Sequence, residues 1–177
     1  MITKDNNLKV MENFFRYPHK GFHIRELSRV TGLSSTGIIK IVKRLKKEKL
    51  LVSKKVANLE EIMPDFEGRF LLMKRLYNIY SLYESGLIDR LKSFYEMPQS
   101  IILFGSYSDG TDTEKSDIDL AIISKSHSEK MPELMKFESR LARKISLHIV
   151  NLTNTPKEFK NSIANGIVLE GFAELVK

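Results

Sequence analysis

The chain has 177 residues, 42% of them hydrophobic, and carries a formal net charge of +7 from 29 Lys and Arg against 22 Asp and Glu. That length allows one domain or two small ones with ordinary cores. The absence of cysteine excludes disulfides and thiolate metal sites, and no apolar stretch approaches the length of a membrane span. The four histidines (His19, His23, His127 and His148) are scattered without ligand spacing. Met1-Ile2-Thr3-Lys4-Asp5 does not begin a signal peptide, so a soluble, cytoplasmic protein with no membrane association is expected. The distribution of charge says more than its total. Residues 1–66 hold 14 Lys and Arg against 7 Asp and Glu, and residues 67–177 hold 15 of each. All the positive excess sits in the first third, which suggests a nucleic-acid-binding segment joined to a neutral one. A solvated lysine-rich surface would show the same count.

In chain order, Leu8, Met11, Phe14 and Phe15 fall at helical spacing, and Tyr17-Pro18 ends that helix. A second helix is predicted from about His23 to Val30, with Ile24, Leu27 and Val30 inward. Thr31-Gly32-Leu33-Ser34 makes a tight turn, and Ser34 or Ser35 can N-cap a third helix buried along Ile38, Ile41, Val42 and Leu45. Leu51 to Val56 reads as a basic strand or hairpin. Helix, helix, glycine turn, helix, hairpin is the order of a winged helix-turn-helix domain.

The stretch IRELSRVTGLSSTGIIKIVKRLKKEKLL resembles the winged-helix transcription regulators. That resemblance implies a third helix entering the major groove of double-stranded DNA, with Ser34, Ser35, Thr36 and Lys40 near base edges. Lys43, Arg44 and Lys47 would then meet phosphates, which position rather than specify. Lys54 and Lys55 would sit in the wing. This wing departs from the family pattern: it lacks arginine, and Asn58-Leu59-Glu60-Glu61 makes its later part acidic. A three-helix protein-interaction domain is the other reading.

Residues 66–96 read as a helical connector. Phe66, Phe70, Met73, Tyr77 and Tyr80 form one stripe; Leu72, Leu76, Ile79 and Tyr83 form a second. Two stripes imply a helix buried on both sides, which would bridge domains, pair with its copy in a homodimer, or both. Ser85-Gly86 breaks this helix, and Leu87, Leu91 and Phe94 start another that ends before Pro98.

Residues 104–123 read FGSYSDGTDTEKSDIDLAII. A buried strand, Ile101 to Phe104, stops at Gly105-Ser106, where a glycine lets backbone N–H groups approach phosphate oxygens. Asp117 and Asp119 follow, set by strand alternation on one face while Ile118 and Leu120 take the other. Neighbouring unpaired carboxylates repel, and a divalent cation relieves the conflict. Mg²⁺ favours one or two carboxylates plus substrate phosphates, so the combination points to a nucleoside triphosphate. An ordinary hairpin with water-facing aspartates and a turn at Ser108-Asp109-Gly110 is the alternative.

Apolar-Gly-Ser, ten residues, then Asp-apolar-Asp-apolar resembles the DNA polymerase β-type nucleotidyltransferases, particularly their small stand-alone members, over about the last 80 residues. The resemblance implies Asp117 and Asp119 as catalytic metal ligands for Mg²⁺, with Gly105 and Ser106 on the phosphates of ATP or GTP. It also implies a third carboxylate on a later strand. The matching strand, Lys144 to Ile149, offers Ser146 and His148, neither acidic. Three readings follow: the domain binds nucleotide without transfer, His148 is the catalytic base, or Glu138 or Glu158 supplies the acid.

Farther on, Leu134, Phe137, Leu141 and Ile145 recur at helical spacing. Thr155-Pro156 starts another helix, with Glu158 in the capping-box position, and Ile167 to Gly171 gives a short apolar end. The expected fold class is α+β. Residues 1–65 form a winged helix-turn-helix, 66–96 a helical connector, and 97–177 a small α/β nucleotidyltransferase-like domain with a mixed sheet. Two functions fit: a DNA-binding transcriptional regulator whose second domain binds Mg-nucleotide, or an active nucleotidyltransferase acting on a protein, RNA or small molecule.

Overall fold

The computed structural model describes residues 5–56, 59–124, 131–151 and 154–173; residues 1–4, Asn58 and His127 lie outside the described residues. The chain divides into two compact units, residues 1–74 and 75–177. No helix among the described residues is long and apolar enough to cross a membrane.

In the first unit, α1 (Asn6–Arg16) is capped by Asp5, whose carboxylate accepts the Leu8 N–H at 2.8 Å. After it, α2 (Ile24–Thr31) ends at Gly32 in the left-handed region, φ 70°. Its inward line differs from the periodic expectation. Leu27 is buried, but Val30 is 53% exposed and Ile24 is half-buried. The line continues from Leu27 to Thr31, which is buried because its hydroxyl donates to the Leu27 carbonyl at 2.6 Å. Next, α3 (Ser35–Lys47) is capped by Ser34, whose Oγ accepts the Gly37 N–H at 3.1 Å. Ile38, Val42 and Leu45 are buried, and Ile41 is half-buried. An antiparallel hairpin follows, β1 (Leu51–Val56) with β2 (Leu59–Pro64). Phe22 adds a single bridge to Ile62, each N–H donating to the other's carbonyl at 2.9 Å. The Phe14 and Phe22 rings meet edge-on at 5.1 Å within this core.

Helix α4 (Phe70–Ser85) covers much of the first stripe, with Phe70 buried and Met73, Tyr77 and Tyr80 half-buried, but little of the second. Phe66 precedes the helix and is exposed. Leu72 and Leu76, from the second stripe, are 53% and 52% exposed. The buried line is instead Phe70, Lys74, Asn78, Leu82 and Ser85, a helical face that carries three polar residues. Polar groups tolerate burial only when bonded. Asn78 meets this through Tyr107 and Asp112; Ser85 donates to the Leu82 carbonyl at 2.8 Å.

The second unit is a four-stranded mixed sheet in the order β5-β4-β3-β6. Its strands are β3 (Ser100–Phe104), β4 (Ile118–Ile123), β5 (Ile145–Val150) and β6 (Ile167–Gly171). β3 runs antiparallel to β4 and β6, and β4 runs parallel to β5. Ile101, Leu103, Ile118, Leu120 and Ile122 join one core with α5 (Leu87–Phe94) and with Phe137 of α7 (Met135–Leu141). Ile102, Phe104, Ala121 and Ile123 join a second cluster with Ile163 of α8 (Lys157–Ala164). With both faces used, β3 and β4 read as nearly continuous apolar runs. Pro156 takes the N-cap position of α8 without a side-chain bond, contrary to the capping box expected around Thr155 and Glu158. The Thr155 hydroxyl donates instead to the Asn151 carbonyl at 2.6 Å.

Candidate functional site

Asp119 is the centre of the polar end of this sheet. It pairs with Phe104 on β3 and stands opposite Ser146 on β5. Asp117 precedes β4 by one residue and is exposed, while Asp119 is half-buried. Burial raises the Asp119 pKa from its ordinary value; His148 opposes the shift and the Asp117 charge adds to it. A cation here would replace lost hydration and cancel the repulsion. Protons compete for the same oxygens, so cation binding should weaken with falling pH earlier than at an unperturbed aspartate.

Gly105 opens α6 (Gly105–Asp109), immediately after β3. Its φ is +71°, and a Cβ there would lie 2.7 Å from Asp119 Oδ2. The room a glycine leaves at this strand end is thus filled by the carboxylate. The sequence motif reads differently: there, the same freedom serves phosphate approach. Gly105→Ala should cost about 1–2 kcal/mol for the left-handed backbone alone, read as a lower denaturant midpoint, and should displace Asp119. Ser106 is half-buried, and its carbonyl accepts the Thr111 N–H at 3.1 Å. The Ser108 hydroxyl donates to the Gly105 carbonyl at 2.7 Å, tightening the turn.

Ser146 and His148 share the face of Asp119. His148 Nε2 lies 3.1 Å from Ser146 Oγ and 3.8 Å from Asp119 Oδ1. Its ring also packs against Phe104 and Phe159, at centroid distances of 5.4 and 5.2 Å. Glu138 is committed elsewhere: its Oε1 accepts the Ile145 N–H at 3.0 Å, fixing the start of β5. Glu158 is exposed in the first turn of α8. Among the described residues no group of three or more His, Asp or Glu is placed to hold a metal together. Asp117 and Asp119 fit a cation that draws its remaining ligands from water and substrate oxygens, as Mg²⁺ does.

A buried polar network behind this site had no clear signal in the sequence. Asn78 donates to the Tyr107 carbonyl at 2.9 Å and to Asp112 Oδ1 at 2.7 Å. Asp112 Oδ2 faces the Arg143 guanidinium at 3.5 Å, with both side chains almost fully buried. Asp112 sits in a polar run that looks like solvent-facing turn chemistry, and Asn78 sits among stronger apolar stripes.

In the first unit, Ser35, Thr36, Lys40, Lys43, Arg44 and Lys47 are exposed on α3, and the Ser34 hydroxyl is engaged as the cap. Arg44 pairs with Glu48 at 3.5 Å. Across the hairpin, Lys54 stands opposite Glu61 and Lys55 opposite Glu60. Lys46, absent from the sequence-based set, lies 3.5 Å from Glu60 and donates to Ser53 Oγ at 2.5 Å.

Residues 87–171, from the start of α5 to the end of β6, match the family model described as polymerase beta, nucleotidyltransferase. No curated protein and no solved structure matches the chain. Over residues 87–171 the second unit is therefore similar to the polymerase β-type nucleotidyltransferases.

Proposed function

We propose that the protein is a DNA-binding regulator whose nucleotidyltransferase-type domain binds a Mg²⁺-nucleotide, ATP or GTP, with slow or absent transfer. The observation that carries this reading is the position of Ser146. It stands beside Asp119 in register, on the strand where the third carboxylate of the family is expected. Asp117 and Asp119 would hold Mg²⁺, and Gly105 and Ser106 would meet the phosphates. When bound, the ion supplies charge neutralisation for the phosphate oxygens. Asp119 occupies the room that Gly105 leaves free and faces His148 at 3.8 Å, while Ser146 offers a hydroxyl that cannot anchor a second cation as a carboxylate does. Calorimetry with Mg-ATP and Mg-GTP tests binding, and labelled-nucleotide incorporation into candidate acceptors tests transfer. Ser146→Asp should raise incorporation above wild type, since the register sets the new carboxylate next to Asp119. Rapid wild-type incorporation that Asp117→Asn abolishes would instead establish an active transferase.

That second reading has its own support. His148 Nε2 lies within reach of both Ser146 and Asp119, where an imidazole can accept a hydroxyl proton near neutral pH.

The proposed division of labour is winged helix-turn-helix for residues 1–65, connector for 66–96, and nucleotide domain for 97–177. Three helices followed by an antiparallel hairpin, with a basic exposed face on α3, support double-stranded DNA as partner. The protein is proposed to act as a homodimer through α4, a reading supported by the exposed Leu72 and Leu76. Light scattering should then give about twice the monomer mass, with Tyr77→Glu restoring the monomer. A wild type that stays monomeric at high concentration would exclude pairing through this helix.

A further inference from the structure

We propose that Asn78 is a positioning residue for the phosphate-binding turn; this rests on the nucleotide-binding reading above. Helix α4 buries Asn78 to 2% exposure while leaving Leu72 and Leu76 in solvent. Apolar burial alone would choose the opposite face. The amide is held there by specific bonds. One of its hydrogens goes to the Tyr107 carbonyl at 2.9 Å, the other to Asp112 Oδ1 at 2.7 Å. Tyr107 follows Gly105 and Ser106 directly in α6, so the first bond fixes the backbone of the turn itself. Asp112 lies in the segment between that turn and Asp117, and its other oxygen faces Arg143 at 3.5 Å, two residues before β5 begins. A single amide thus ties the turn to the segment that delivers both aspartates. The phenol of Tyr107 makes a separate contact, 3.0 Å from Ser81 Oγ. That contact holds the ring and not the carbonyl, which separates the two functions by substitution.

Full-length wild type, Asn78→Ala and Tyr107→Phe would be titrated calorimetrically with Mg-ATP and with Mg-AMP. AMP lacks the β- and γ-phosphates that the turn would hold. Loss of a residue that supports a metal site's direct contacts typically costs ten- to a hundredfold in affinity. Asn78→Ala should therefore lose ten- to a hundredfold in ATP affinity with AMP affinity little changed, so the preference for ATP collapses. Tyr107→Phe should keep that preference. Asn78→Leu, which retains the branched volume and removes the amide's donors and acceptor, should behave as the alanine variant and serves if alanine prevents folding. Equal losses for ATP and AMP, unchanged ATP affinity, or failure of both Asn78 variants to fold would overturn the positioning role. A wild type that binds neither nucleotide would sink the nucleotide reading itself, a result distinct from a binding protein indifferent to Asn78.

Discussion

Replacing Asp117 and Asp119 together by Asn should abolish Mg²⁺-dependent ATP or GTP binding while leaving the protein folded. The substitution preserves shape and removes two negative charges, so the triphosphate loses its cation and the cation loses its carboxylates. Removing even an outer-sphere partner of a bound metal typically costs ten- to a hundredfold in affinity. Loss of both direct ligands should exceed about a hundredfold, beyond detection by calorimetry. Stability should move the other way. Burial, and secondarily the Asp117 charge, raises the Asp119 pKa, which means the ionised form is disfavoured in the native state. A raised carboxylate pKa costs stability above that pKa and relieves the cost as pH falls through it. Neutral Asn removes the cost at pH 7, so the melting temperature should hold or rise. Greater affinity for substrate groups at the expense of stability is common at functional sites. Retained Mg²⁺-dependent binding in the double variant would place the nucleotide elsewhere.

Lys43, Arg44 and Lys47, changed together to Ala, should weaken DNA binding across all sequences. Each phosphate contact contributes about 0.9 to the slope of log affinity against log salt. Loss of three should flatten that slope by about 2.7, with a fall in affinity of at least tenfold at moderate salt. Thr36, near the start of α3, should behave differently. Its substitution should change preference among sites rather than affinity for bulk DNA, because base contacts specify and phosphate contacts position. Lys54 and Lys55 should matter less, since Glu61 and Glu60 face them across the hairpin and offset their charge. Fluorescence anisotropy over a salt series reads all three effects. Unchanged affinity and slope in the triple variant would remove α3 as the interface.

Much of the second unit was visible along the chain because its signals are local. A short apolar run stopped by Gly-Ser, and a strand alternating Asp with Ile or Leu, each depend on nearest-neighbour geometry alone. The helices α1 to α3 were legible for the same reason, through spacing and, for α3, the Ser34 cap. The side of Val30 was not: a single step of three or four residues decides it, and the bonded hydroxyl of Thr31 took the inward place.

What the sequence by itself determined was the set of chemical groups, the strands that bear them, and the charge excess of the first third. What only the tertiary structure decided is which groups meet. Ser146 stands opposite Asp119 because β4 and β5 run parallel in one register, and no periodicity within either strand sets the pairing between them. Gly105 makes room for Asp119 because two strands bring them within reach of one another. The buried face of α4 shows the limit most clearly. Hydrophobic spacing favours Leu72 and Leu76, yet Asn78 is inside, because its two donors find Tyr107 and Asp112 from distant parts of the chain. A buried amide is stable only when such partners exist, and partners remote in sequence are supplied only by the fold.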